Sequence, residues 1–283
     1  VKGLLLSRLS AEIFSLVTAL PFIIKNVKSK LNLSVLREMI SYGFPLVFST
    51  ISAMILNFSD RYIIKPMLGN AEVGVYSMGY KVAGLINVLI IQSFQTGFLP
   101  IAYKMVDKPG ARRFFSKVLT YLVFLLSMAA LTISLYGREI FEIMSKDESW
   151  IEVYKIIPLL ALFFIFRGIN YNFSLGTHYV KKTKYNAYIV MSAAIINIIL
   201  NLLLIPKLKI YGAAIASIIS VLYMIILYYN ISQKLYFIPF ELVKIFKLIF
   251  VAIALFAISY FFFDFNIWLR ILLKLLLIIS FPF

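Results

Sequence analysis

Apolar residues in this chain run in long blocks, each broken by a short polar or charged stretch, instead of alternating with polar residues on a two-residue period. Blocks of this length read as helices that cross a bilayer, which takes about 20 predominantly apolar residues. The pattern predicts nine such helices, over residues 4–24, 44–64, 73–98, 116–136, 151–178, 185–205, 211–231, 245–263 and 267–283. Soluble folds and β-barrels drop out, since a barrel strand is shorter and alternates. The expected fold class is an all-α integral membrane protein, a polytopic bundle of about nine helices.

Composition agrees with this reading. Of 283 residues, 62% are hydrophobic and 14% charged, and the mean hydropathy is +0.95. The net charge of +16 could suggest nucleic acid, but the basic residues form no continuous aromatic-basic face. They sit in alternate loops: Lys25, Lys28, Lys30 and Arg37; Lys104, Lys108, Arg112, Arg113 and Lys117; Lys181, Lys182 and Lys184; Lys234, Lys244 and Lys247. The positive-inside rule makes these four loops cytoplasmic. The loop with Glu139, Glu142, Asp147, Glu148 and Glu152 is acidic and falls outside, while Lys207 and Lys209 are an exception on that side. There is no cysteine and one histidine, His178, which excludes disulfides, thiol nucleophiles and multi-histidine metal motifs. No Walker or GxGxxG sequence appears, so no cofactor is expected.

Candidate chemistry lies in the polar residues inside the apolar blocks. A charged residue at the middle of a membrane helix costs about 2.5–3.5 kcal/mol on insertion scales, so it is rare unless it faces a bundle interior or an aqueous cavity. Lys81 lies about 12 Å inside the third helix, eight residues at 1.5 Å each. It shares a face with Ser77, Gly84, Gln92 and Gln95. The fifth helix repeats the pattern with Arg167, Asn170, Tyr171, Ser174 and His178, and the sixth with Asn186, Asn197 and Asn201. Lys81, Arg167, Gln92, Gln95, Asn170 and Tyr171 are therefore the expected substrate-binding residues. Snorkelling toward the interface is the competing reading of Lys81. Ser59, Asp60 and Arg61 read as a polar turn at a helix end, with Asp60 and Arg61 either capping or gating. Asn197 and Asn201 are expected to hydrogen-bond neighbouring helices, and His178 to be solvated at the interface. Gly212, Ala216 and Ser220 form a small-residue stripe for close helix packing.

Tyr42, Gly43, Pro45 and Leu46, then Ser59-Asp60-Arg61, Gly69, Val73-Gly74-Val75-Tyr76-Ser77 and Tyr80-Lys81, resemble the start of the second lobe of Wzx-type polysaccharide flippases. Asn197, Asn201, Leu204-Ile205-Pro206-Lys207, Ile210 and Gly212-Ala213-Ala214-Ile215-Ala216 are similar to the motif joining the eleventh and twelfth helices of that family. It belongs to the multidrug, oligosaccharidyl-lipid and polysaccharide exporter superfamily. The resemblance implies two six-helix lobes about a central cavity, often followed by two further helices. On that pattern residues 1–24 are the last helix of a first lobe that the chain otherwise lacks, and 25–43 a cytoplasmic amphipathic linker. Residues 44–231 are then the second six-helix lobe, and 232–283 two additional helices.

The function this implies is alternating-access movement of undecaprenyl-pyrophosphate-linked oligosaccharide across the cytoplasmic membrane, in O-antigen or lipopolysaccharide biosynthesis. Lys81 and Arg167 would supply charge to the pyrophosphate. The implied partners are the lipid-linked oligosaccharide, membrane lipid and the polysaccharide polymerase and ligase machinery, without nucleic acid. With no ATP site, the membrane potential or an ion gradient is the expected drive. A multidrug exporter of the same superfamily predicts acidic residues deep in the helices, whereas the carboxylates here, apart from Glu12 and Asp60, read as lying in loops or at interfaces. A membrane-embedded glycosyltransferase or polymerase predicts a large external loop with clustered carboxylates, and the Arg138–Glu152 loop is short.

Overall fold

A computed structural model describes residues 2–26, 32–144, 152–180, 182, 184–262 and 265–281. Lys28, Lys30, Asp147, Glu148 and Lys181 lie outside the described residues. The described chain is helical throughout: α1 (Lys2–Asn26), α2 (Leu33–Leu68), α3 (Asn70–Ala83), a π-helical segment (Asn87–Gln92), α4 (Ser93–Met105), α5 (Ala111–Met144), α6 (Glu152–Tyr179), α7 (Lys184–Leu235), α8 (Leu242–Ile258) with a 3₁₀ turn (Ser259–Phe262), and α9 (Ile267–Ser280). Seven stretches among the described residues are long and apolar enough to span a membrane. One of them, α7, is two helices joined at Lys209, which adopts φ 51° and ψ −137°. Counting both halves of α7 gives eight; the ninth expected helix, α9, is present but at 14 residues is shorter than a span needs.

Residues 1–41 and 42–283 form separate compact units. In the first, the described side chains of α1 are exposed. α2 starts at Leu33 where the sequence pattern suggested 44, because Asn32 caps it: its Oδ1 accepts from the Ser34 backbone N–H at 3.1 Å and from the Ser34 hydroxyl at 2.7 Å. In the second unit α6 is central, burying Ile156, Ile157, Leu160, Ala161 and Phe164 against α3, α5 and α7. Where α7 doubles back at Lys209, a Cβ on Gly212 would lie 2.5 Å from the carbonyl oxygen of Leu204. Only glycine lets the two halves turn this tightly.

One end of the second unit joins three of the basic loops. The Tyr236 hydroxyl donates to the Val106 carbonyl, Ser116 to the Pro239 carbonyl and Thr120 to Glu241. Tyr179 stacks on Phe115 and meets Tyr103 edge-on. At the far end of α5 the structure corrects the acidic-loop reading: Glu139 and Glu142 are helical, and Glu139 is 3% exposed. Lys274 of α9 donates to Glu139 Oε1 at 2.6 Å. Arg270 places Nε 2.7 Å from the same oxygen and donates from Nη2 to Glu142 at 2.8 Å. Hydropathy alone reads these carboxylates as a loop because their partners lie some 130 residues further along the chain.

Candidate functional site

Three cations converge on one cavity of about 370 Å³. α2 contributes Asn57 and Arg61, α3 contributes Tyr80 and Lys81, and α6 contributes Arg167. Asn57 and Arg61 are four residues apart and share a face of α2. Arg61 donates from Nη1 to the Asn57 carbonyl at 2.8 Å and from Nε to the Ser77 hydroxyl at 3.3 Å. Its guanidinium carbon lies 4.4 Å from the centre of the Tyr80 ring, a cation–π contact that holds the charge at the cavity wall. Arg167 donates from Nη1 to Asn57 Oδ1 at 2.6 Å. No carboxylate is found among the described residues lining this cavity. Walls with three positive groups and no carboxylate among the described lining residues favour an anion.

A second cavity, of about 230 Å³, is lined by Arg167 and Asn57 as well. Gln95, Asn170, Tyr171, Asn197 and Ser217 supply its polar wall; Phe163, Val221 and Met224 are among its apolar residues. The expected binding residues thus divide. Lys81 and Arg167 share the first cavity, and Gln95, Asn170 and Tyr171 join Arg167 in the second.

Gln92 is exposed and lines neither. The expected stripe counts 3.6 residues per turn straight through the helix, but the π-helical turns at Asn87–Gln92 shift its phase. Lys81 and Gln95 flank the segment and keep their cavities, whereas Gln92 ends it and turns away.

The polar turn at Ser59–Arg61 is also corrected. These residues lie inside α2, which continues to Leu68. Asp60 is 1% exposed and accepts from the Tyr76 hydroxyl at 2.6 Å, Asn201 Nδ2 at 2.8 Å and the Ser217 hydroxyl at 2.9 Å. Asn201 Nδ2 also reaches Asn197 Oδ1 at 2.9 Å, which takes the Ser59 hydroxyl at the same distance. Asn197 and Asn201 therefore do bond neighbouring helices. A buried polar group is tolerated when its hydrogen bonds are made, and here they tie α2 to α3 and to both halves of α7. Asp60 and Arg61 consequently part company, one in the interior and one on the first cavity. His178 is half-buried, its Nε2 3.1 Å from Asn186 Nδ2. Sequence reasoning missed Asn57, Tyr80 and the cavity position of Arg61; the i, i+4 pairing of Asn57 with Arg61 was the available signal.

Residues 1–106 match the family model described as polysaccharide biosynthesis protein. Over 212 residues the chain is 27% identical to the capsular polysaccharide biosynthesis protein CapF of Staphylococcus aureus, covering 72% of this chain and 52% of that protein. Its fold is similar to that of the lipid II flippase MurJ in an inward closed conformation, with a TM-score of 0.70, 18% identity, and coverage of 95% of this chain and 58% of that one. The chain thus spans about half the length of the relatives it matches. Its N-terminal third is similar to polysaccharide biosynthesis proteins and its fold to that of a lipid II flippase, and with its apolar, membrane-length helices it is a multi-pass protein of the cell membrane.

Proposed function

We propose that this chain acts in a transporter, as part of a flippase that carries undecaprenyl-pyrophosphate-linked oligosaccharide across the cytoplasmic membrane by alternating access. The observation that carries the reading is the first cavity, where Arg61, Lys81 and Arg167 gather without a carboxylate among the described lining residues. A pyrophosphate leaving water for hydrocarbon needs its hydration replaced by fixed charge and donors, and three cations on separate turns can cradle a dianion. The similarity to a capsular polysaccharide protein and to a lipid II flippase supports a lipid-linked glycan as cargo. On this reading residues 44–231 are the second lobe and 232–283 two appended helices, reached from residues 1–24 through the linker 25–43. Membrane lipid and the polymerase and ligase that act on the flipped product are the expected partners.

The test is export in cells. In the complete protein Lys81→Ala and Arg167→Ala are expected to reduce surface polysaccharide at least tenfold at unchanged protein level, and Lys81→Arg to retain most of it. Each substitution removes a charge that costs a few kcal/mol in lipid, so poorer insertion would not account for a loss. Export at the wild-type rate by both alanine variants would overturn the assignment.

A further inference from the structure

We propose that the second cavity is a sugar subsite, seating the ring that adjoins the phosphates of the carried lipid. The inference rests on the reading of the first cavity as the phosphate site. Arg167 and Asn57 line both cavities and are bonded to each other at 2.6 Å. A phosphate held by Arg167 therefore lies beside a residue that also walls the second cavity.

The wall there is of a different kind from the cationic one. Apart from Arg167, its polar groups are neutral amides and hydroxyls, set beside aromatic and aliphatic faces. Neutral donors and acceptors next to an aromatic surface suit a polyol ring, which offers hydroxyls at its rim and C–H groups on its faces; a second phosphate would want charge. Two polar atoms in the lining are buried yet form no hydrogen bond among the described residues: Asn170 Oδ1 and Asn197 Nδ2. Asn197 is fully buried. Buried polar atoms are nearly always satisfied, so an orphan points to an unseen partner. One orphan is an acceptor and the other a donor, and hydroxyl groups serve both. The volume of about 230 Å³ has room for on the order of eight waters at about 30 Å³ each, the space of a single sugar ring.

Binding to the detergent-solubilised complete protein separates the possibilities. The probes are undecaprenyl pyrophosphate alone and the same lipid carrying one glucose, galactose or N-acetylglucosamine. The wild type is expected to bind at least one glycosylated form tenfold or more tightly than the bare lipid. Asn170→Ala, and independently Gln95→Leu in case one variant folds poorly, should bring that preference within about twofold by weakening the glycosylated lipid more than the bare one. Equal affinity of the wild type for bare and all glycosylated lipids would overturn the sugar subsite, leaving water as the occupant, and so would an equal loss for both probes in the variants. Failure of the wild type to bind even the bare lipid would instead overturn the phosphate reading on which the subsite depends.

Discussion

At the scale of single residues, two positions carry strain or polarity that the local sequence does not reveal. Asp60 sits in α2 with three neutral donors aimed at its carboxylate. Replacing it with leucine would leave Tyr76, Asn201 and Ser217 facing an apolar group, and each buried unsatisfied donor costs about 1–3 kcal/mol. Asp60→Leu is therefore expected to lower the thermal unfolding temperature of the purified protein sharply, and Asp60→Asn, which keeps one acceptor oxygen, to lower it much less. Equal effects would show that the network contributes little. Lys209 holds a positive φ without being glycine, a conformation that costs of order 1–3 kcal/mol. Lys209→Gly should raise the unfolding temperature, and a drop would mean that the lysine side chain is itself anchored. The sequence did show that Lys81 and Arg167 are unusual, because charge inside an apolar block is visible one residue at a time. It did not show that Asp60 is interior, since its partners come from α3 and from residues some 140–157 positions away.

At the scale of elements, the apolar blocks gave helix number and order because hydrocarbon leaves the backbone so few alternatives. Two features escaped them. The π-helical segment between α3 and α4 looks like any other apolar stretch, and its shifted phase is what moved Gln92 off the expected face. The attachment of α9 escaped because it is ionic: Lys274 and Arg270 meet Glu139, with Glu142 as a second partner for Arg270. At 14 residues α9 is too short to span unaided, so these pairs fix where it sits. Removing one partner of a buried ion pair costs about 3–5 kcal/mol, whereas replacing both with apolar groups is often neutral. Glu139→Ala should thus release α9, read as loss of cross-linking by a short bismaleimide between cysteines placed at Tyr136 and Ile271, where the tyrosine hydroxyl reaches across to the Ile271 carbonyl at 3.1 Å. Glu139→Leu combined with Arg270→Leu and Lys274→Leu should restore it. Persistent cross-linking in Glu139→Ala would show that apolar packing alone holds the helix.

At the scale of the whole molecule, the basic loops and the packing meet in one prediction about sidedness. Charge alone assigns the loops around residues 25–37, 104–117, 178–184 and 234–247 to the cytoplasm. The structure adds an independent geometric fact for three of them: Val106, Tyr179 and Tyr236 meet in one aromatic and hydrogen-bonded cluster, with Arg112 placed over the Tyr236 ring. Loops that touch must lie on the same side of a bilayer, so these three stand or fall together. The Glu139–Lys274 pair terminates the same helix, α5, at its other end, which puts that pair on the opposite face. The chain has no cysteine, so single cysteines can be introduced at Lys108, Lys182 and Lys234, and at Tyr154 near the opposite end, without background. In intact cells a membrane-impermeant thiol reagent should label only the Tyr154 position, and after permeabilisation it should label the other three as well. Labelling of all three basic loops from outside would invert the topology while preserving the cluster. Labelling of one or two of them would contradict the packing itself, because no single bilayer could then contain the contacts that join them.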